Sequence, residues 1–86
     1  MQLLELMTTE GCHLCDLAVP LLVQQVDPQR FEVDLVDIAF EDRLVEQYGT
    51  RIPVLRHSQS GAELNWPFDA EQLRQFLQSV EAKTSR

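Results

Sequence analysis

The chain has little positive charge and no long apolar run, and each of these absences excludes a class of protein. Its 86 residues hold 7 Lys and Arg against 14 Asp and Glu, a formal net charge of −7 at pH 7. Phosphate backbones and anionic lipids repel an acidic surface, so we expect neither nucleic acid nor a membrane as a partner. No apolar stretch reaches the about 20 residues of a transmembrane helix, and no signal-peptide pattern opens the chain.

Cysteine is also scarce, because Cys12 and Cys15 are the only two in the chain. A secreted disulfide scaffold carries more cysteines, spread so that they join distant segments. A bridge between two residues this close in sequence closes a very small loop and constrains little of the unfolded chain. A purely structural disulfide is therefore disfavoured, and cysteines that cycle in the cytoplasm fit the count better.

Length and apolar content indicate one compact domain. The chain is long enough for one domain and too short for two, and 44% of its residues are hydrophobic. No linker, repeat or low-complexity tract divides it. We therefore expect a single domain over residues 1–86 and a monomer, with a polar C-terminal end that frays from about residue 81.

Strand-like and helix-like patterns alternate in the order β-α-β-α-β-β-α, which predicts an α/β fold. The predicted strands cover residues 2–7, 31–35, 52–55 and 62–66. In the second of them Phe31, Val33 and Leu35 alternate with acidic residues, which indicates a half-buried strand.

Three helices are predicted from apolar residues at helical spacing. Their predicted apolar faces are Leu14, Leu17, Ala18, Leu21 and Leu22, then Phe40, Leu44 and Tyr48, then Leu73, Phe76, Leu77 and Val80. Pro20 predicts a kink in the first helix, and Gly49 is a C′ residue for the second. Asp69 is predicted to cap the third helix, with Gln72 at the reciprocal position of a capping box.

Cys12 and Cys15 form a C-x-x-C pair at the head of the first predicted helix. The amides of a helix N-terminus favour an anion, so the first thiol lies where its thiolate is stabilised. Two thiols at this spacing can close a disulfide ring, which suits thiol–disulfide exchange. His13 could also favour the thiolate when it is protonated, and the alternative is an exposed side chain with no role.

The element order, the C-x-x-C pair and an Ile-Pro opening the third strand together resemble the thioredoxin fold. The length and the early cysteines are most similar to the glutaredoxin branch, specifically the small glutaredoxin-like proteins of bacteria. The resemblance implies a four-stranded mixed sheet with helices on both faces. It also implies an electron-transfer enzyme of cell redox homeostasis, a thiol–disulfide oxidoreductase.

The roles of individual residues follow from this resemblance. Cys12 matches the nucleophilic cysteine, and Cys15 matches the resolving cysteine one turn further into the helix. Pro53 matches a proline that is cis and packs beside the disulfide. Ile52 matches the residue whose backbone pairs with an extended peptide or with glutathione. The resemblance implies a disulfide-containing substrate, electrons from glutathione or a thioredoxin-type donor, and no bound cofactor.

Four positions depart from the glutaredoxin pattern. His13 and Leu14 replace a proline and an aromatic residue between the cysteines, Glu10 stands where a lysine is common, and Arg51 replaces a threonine. In the family the lysine meets a glutathione carboxylate, which Glu10 does not, so the departures bear on glutathione binding and leave the two cysteines in place. Arg51 could receive a carboxylate of glutathione or of a partner chain, or it could pair with acidic residues of its own surface.

Two other functions are open at this stage. His57 with the cysteines and His13 would supply metal-ligand types, but a helix that starts beside Cys12 directs His13 elsewhere, so we expect no metal site. The second alternative is an adaptor without significant redox turnover, which binds peptides along the edge that contains Ile52.

Overall fold

The computed structural model describes residues 2–84, and the side chains of residues 2–81, as four strands, three α-helices and one short 3-10 turn. In chain order these are β1 (Gln2–Thr8), α1 (His13–Gln25), β2 (Phe31–Asp37), the 3-10 turn (Ile38–Phe40), α2 (Asp42–Tyr48), β3 (Val54–His57), β4 (Glu63–Asn65) and α3 (Ala70–Thr84). The predicted order and the α/β class are confirmed.

The strands form one mixed sheet in the order β2-β1-β3-β4. Strands β1 and β2 are parallel, with Thr8 opposite Asp37, while β3 runs antiparallel to β1 with Val54 opposite Met7. Strand β4 is antiparallel to β3. Strands β1 and β2 therefore end, and β3 begins, at the same end of the sheet, which we call the site edge.

Helices cover both faces of the sheet, because alternate residues of β1 belong to different cores. Leu4 and Leu6 are fully buried in a core that includes residues of α1 and α3. Met7 points to the opposite face, where it joins Ile38 and Tyr48 in a smaller core beside α2. None of the helices within residues 2–84 is long and apolar enough to cross a membrane.

The buried face of α1 differs from the predicted one. Cys15, Ala18 and Leu22 are buried, whereas Leu14 and Leu17 are 46% and 59% exposed. Positions 15, 18 and 22 recur at the helical period, so the helix turns the two leucines away from the sheet. The prediction that Leu14 and Leu17 face the core is therefore wrong. Helix α1 continues through Pro20, and the predicted kink stays a prediction.

The second helix also begins later than the sequence pattern suggested. The Asp37 carboxylate accepts a hydrogen bond from the Ala39 amide at 2.9 Å and starts the 3-10 turn, so α2 begins only at Asp42. Ile38 takes the buried position, and Phe40 is 89% exposed. The placement of Phe40 on the apolar face of this helix is therefore wrong.

The structure also corrects the predictions made for Gly49 and Leu35. Gly49 is the C-cap of α2 in a right-handed conformation, and not a C′ residue, and a Cβ there would press on the Val45 carbonyl oxygen. Leu35 is 62% exposed because β2 is an edge strand and α1 covers only part of it.

Helix α3 follows its predicted start. The Asp69 amide donates to Gln72 Oε1 at 3.0 Å, and the Gln72 amide donates to Asp69 Oδ1 at 2.8 Å, which is the predicted capping box. The helix continues to Thr84, and the last two residues of the predicted frayed end lie outside the described residues.

Candidate active site

Cys12 caps the N-terminus of α1 at the site edge. Gly11 before it has a φ of 80°, a conformation that glycine adopts without a steric penalty, and the chain turns here from β1 into the helix. Cys12 has extended backbone angles, and its Sγ accepts a hydrogen bond from the Cys15 amide at 3.2 Å. This is the bond of an N-cap side chain to the third residue of its helix, made here by sulfur.

The two cysteines are joined in a disulfide, with their Cα atoms 5.3 Å apart. Cys15 is buried on the sheet side of α1, whereas Cys12 is half-buried at the helix end. The pair is therefore asymmetric in access, with Cys12 the more exposed of the two residues.

A side-chain hydrogen bond ties the loop before Cys12 to the end of β2. Thr9 Oγ1 donates to Asp37 Oδ1 at 3.1 Å, and the same oxygen caps the 3-10 turn. Sequence reasoning missed this pair, because the two residues are 28 positions apart and meet only through the parallel register of their strands.

Pro53 also lies at the site edge, on the side of β1 opposite β2. It immediately precedes Val54, the first residue of β3, which pairs with Met7 near the end of β1. The Ile52–Pro53 peptide bond is cis, as the resemblance implied, and Pro53 is buried. Its carbonyl oxygen accepts a hydrogen bond from the Trp66 amide at 3.2 Å. The Trp66–Pro67 bond is also cis, which the sequence analysis did not predict.

The backbone of Ile52 is only partly available for a substrate. Its amide donates to the Tyr48 carbonyl oxygen at 3.1 Å, at the end of α2. Among the hydrogen bonds of the described residues none uses the Ile52 carbonyl oxygen, so this oxygen is the group that an extended peptide could engage. The predicted pairing of a substrate with Ile52 stays a prediction.

Arg51 is engaged by groups of its own chain. Its Nη1 donates to Asn65 Oδ1 at 3.1 Å and lies 3.6 Å from Glu63 Oε1, and its Nε donates to the Gln47 carbonyl oxygen. The guanidinium also lies over the Tyr48 ring, 5.0 Å from its centroid. This arrangement supports intramolecular pairing, and a role for Arg51 in binding a substrate carboxylate stays a prediction.

Tyr48 supports the segment before Pro53 and is itself held by a carboxylate. The residue is buried, and its hydroxyl donates to Glu63 Oε2 at 2.6 Å. Burial, followed by the hydrogen bond and the charge of Glu63, raises the pKa of Tyr48 above its ordinary value of 10.0.

This shift predicts a loss of stability at alkaline pH. The unfolded tyrosine titrates near 10.0 and the folded one at a higher pKa, so its contribution is complete below pH 10.0 and is lost as the pH rises through the folded pKa. Tyr48 is the only tyrosine of the chain, so tyrosinate absorbance follows it alone. We expect native protein to titrate later than urea-unfolded protein, and Tyr48→Phe to lack this part of the alkaline destabilisation. A native titration at or below the unfolded one would contradict the buried position of Tyr48.

The remaining predicted residue of the motif, His13, is exposed at the first position of α1. Its proposed effect on the thiolate stays a prediction. Glu10 and Asp16, on the two sides of the motif, are exposed as well.

His57 lies away from this site, in the core. It is fully buried, its Nδ1 pairs with Ser60 Oγ at 2.7 Å, and its Nε2 pairs with Gln2 Oε1 at 2.7 Å. Within residues 2–84 no group of three or more His, Cys, Asp or Glu side chains is placed to hold a metal ion. The structure therefore pairs His57 with side chains of the turn after β3 and of the start of β1, and does not bring it to the cysteines.

Comparisons with known proteins agree with this geometry. A family model described as Glutaredoxin-like domain (DUF836) matches residues 3–78. The X-ray structure of the target protein XcR50 from X. campestris is 42% identical, with a TM-score of 0.77 over 88% of this chain and 96% of that chain. The solution structure of the same target gives a TM-score of 0.76 at 42% identity, over 92% of this chain and 95% of that one. A search of the curated proteins finds no match. The chain belongs to the glutaredoxin-like domain family, and its fold is thioredoxin-like.

Proposed function

We propose that the protein is a thiol–disulfide oxidoreductase that reduces disulfides or mixed disulfides, with Cys12 as the nucleophile and Cys15 as the resolving thiol. The observation that carries the proposal is the hydrogen bond from the Cys15 amide to Cys12 Sγ at the N-terminus of α1. Membership of the glutaredoxin-like family and a dithiol at disulfide distance are compatible with a redox role.

The helix end supports Cys12 as the attacking sulfur for two reasons. A thiolate at the N-cap accepts amide hydrogen bonds and lies at the positive end of the helix dipole, which favours the anion. Cys15, in contrast, is buried against the sheet, and burial favours the neutral thiol over the thiolate. Accessibility and charge therefore both support Cys12 as the nucleophile and Cys15 as the resolving thiol.

The reaction takes place in two exchanges. The Cys12 thiolate attacks one sulfur of the substrate disulfide, the substrate S–S bond breaks, and the leaving thiolate takes a proton from water. Cys15 then loses its proton and attacks Cys12 Sγ, which releases the second substrate thiol. The substrate gains two electrons and two protons, and the protein keeps the Cys12–Cys15 disulfide.

Two thiols must reduce this disulfide before the next cycle. Glutathione or a thioredoxin-type protein would supply them, and the protein itself needs no bound cofactor. The cytoplasm, where thiols are kept reduced, is the compartment that suits this cycle. In this proposal the chain acts as a single domain and a monomer.

A redox titration tests the proposal most directly. The protein is equilibrated in glutathione buffers, free thiols are alkylated, and mass spectrometry counts the alkyl groups. We expect one reversible two-electron transition between about −180 and −270 mV, the range of working oxidoreductases. A Cys12→Ser, Cys15→Ser double variant sets the alkylation baseline. A dithiol that stays reduced throughout, or stops as a glutathione adduct, would contradict the proposed cycle.

A further inference from the structure

We propose that the dithiol selects disulfides in extended protein segments where the cysteine has apolar and Lys or Arg neighbours, and that Phe40 is the apolar anchor for such segments. This inference rests on the proposed function and names its substrate class. It follows from three features of the site edge: the exposed apolar side chains, the fixed position of Phe40, and the negative charge of the edge.

Exposed apolar side chains lie close to the dithiol. Leu14 lies between the two cysteines, and Leu17 follows one turn later on the same side of α1. Phe40 follows β2 at the same edge and is the most exposed large apolar residue described. Single exposed leucines are ordinary, but an almost fully exposed phenylalanine at the same edge of the sheet adds apolar surface near the dithiol.

Phe40 projects from a rigid base. The 3-10 turn that carries it begins at Asp37, which lies opposite Thr8 and is bonded to Thr9 in the loop before Cys12. Ile38, two residues before Phe40, is buried in the core against which Ile52 packs. The turn is therefore fixed on both the β1 side and the Pro53 side, and the exposure of Phe40 is a feature of the packed fold.

Charge at the site edge is negative. Glu10, Asp16, Glu41 and Asp42 are all exposed around the cysteines and the 3-10 turn. The first basic residue of the sequence is Arg30, so no Lys or Arg accompanies the motif on β1 or α1. An anionic tripeptide such as glutathione is repelled here at long range, and a Lys- or Arg-containing segment is attracted.

The arginines that follow do not reverse this sign. Arg43 Nη2 lies 3.0 Å from Glu41 Oε1, so the two charges offset each other. Arg51 is engaged by Asn65 and Glu63. Among the described ion pairs none includes Glu10, Asp16 or Asp42, so the carboxylates nearest the motif are available to a basic partner.

The same charge argues against a second copy of the chain as the occupant. Two chains of net charge −7 would place their acidic site edges against each other, which opposes association. A disulfide-bearing segment with basic and apolar neighbours instead meets complementary charge, an exposed Phe40 and the Ile52 carbonyl oxygen at the same end of the sheet. We therefore infer a protein substrate of this composition.

The test uses the fully reduced protein and short peptides whose single cysteine is joined to 2-thiopyridine by a disulfide. Attack by Cys12 on the peptide sulfur breaks that bond, forms the Cys12–peptide disulfide and releases thiopyridine, whose absorbance gives the rate. Four substrates are compared: a leucine-containing peptide with lysine flanks, the same with glutamate flanks, a serine-for-leucine version with lysine flanks, and glutathione carrying the same leaving group. Reaction of each with dithiothreitol corrects for its intrinsic reactivity.

We expect the lysine-flanked leucine peptide to react about tenfold faster than the glutamate-flanked one or the glutathione adduct, after that correction. Because the Debye length falls from about 10 Å at 0.1 M salt to about 3 Å at 1 M, the ratio should fall towards one at high salt. Equal rates at low salt, or a faster reaction of the glutathione adduct, would overturn the inference.

Replacement of Phe40 by alanine tests the anchor. The rate of thiopyridine release is measured over a range of peptide concentrations, so that an apparent dissociation constant is obtained separately from the maximal rate. We expect Phe40→Ala to raise the apparent dissociation constant of the leucine peptide about fivefold or more, and to raise that of the serine peptide much less. Val23→Ala is the matched control, because Val23 is 76% exposed on α1 but lies about 12 Å beyond Cys15 along the helix. An equal effect of the two variants would remove Phe40 from the recognition surface.

The outcomes also separate this inference from the proposed function. If the reduced protein releases thiopyridine from none of the four substrates faster than dithiothreitol does, the oxidoreductase proposal fails. If all four substrates react rapidly and alike, the oxidoreductase proposal holds and the substrate class proposed here is wrong.

Discussion

Replacement of Cys12 by serine is expected to reduce disulfide exchange to the rate of the uncatalysed reaction, whereas replacement of Cys15 by serine should trap the protein after one exchange. A hydroxyl at position 12 does not form an anion near neutral pH and cannot attack sulfur. With Cys15→Ser the first attack still occurs, because Cys12 and its amide hydrogen-bond donor remain at the helix end. The mixed disulfide then persists, since no second thiol is within reach to release it.

The two variants are each other's control, because each replaces one sulfur of the same disulfide ring by oxygen. Mass spectrometry after incubation with the lysine-flanked thiopyridyl peptide should show a stable peptide adduct on Cys15→Ser and none on Cys12→Ser. If the pair were a structural staple, both variants would be destabilised alike, and the adduct on Cys15→Ser would form no faster than on an ordinary free cysteine. An adaptor would keep its partner in both variants. An adduct on Cys12→Ser alone would reverse the assigned roles.

The elements that the sequence predicted correctly are those controlled by neighbours in the chain. The capping box joins residues three positions apart, Asp69 and Gln72, and the same spacing places Cys12 at the N-cap of α1 with Cys15 as its donor. Alternation and helical periodicity are local in the same sense, and they predicted the order of the seven elements. The cis bond before Pro53 came from the family resemblance, since no local pattern specifies it.

The features that the sequence did not predict depend on how elements distant in the chain pack against one another. Periodicity places Leu14, Leu17 and Phe40 on apolar helix faces, but only the packed structure shows that all three are exposed. The Thr9–Asp37 hydrogen bond requires the register of β1 against β2. The surface that we propose for substrate recognition is therefore built largely from residues whose burial was mispredicted. That pattern is expected where function, and not stability, determines the residue.

The structure also predicts where the fold is most sensitive to a loss of side-chain volume. Leu6 lies in the central strand β1, fully buried, with Leu35 opposite it on one side and Leu55 on the other. Replacement of a buried leucine by alanine costs about 2–5 kcal/mol, since it removes apolar contact and leaves a cavity. At about 0.05–0.15 kcal/mol per residue, the 86-residue chain has about 4–13 kcal/mol of stability in total. We expect Leu6→Ala to remove a large fraction of it.

Leu35→Ala is the matched control, because Leu35 has the same side chain and lies opposite Leu6, yet it is mostly exposed on the edge strand. Urea unfolding of the oxidised proteins should give a loss below about 1 kcal/mol for Leu35→Ala, with unchanged dependence on denaturant. If Leu6→Ala does not fold, Leu6→Val removes one methylene and should still cost about 1 kcal/mol. Equal losses for Leu6 and Leu35 would mean that β1 is not the buried centre of the sheet. The loop that carries Cys12 from the end of β1 would then lack the rigid support on which the proposed chemistry depends.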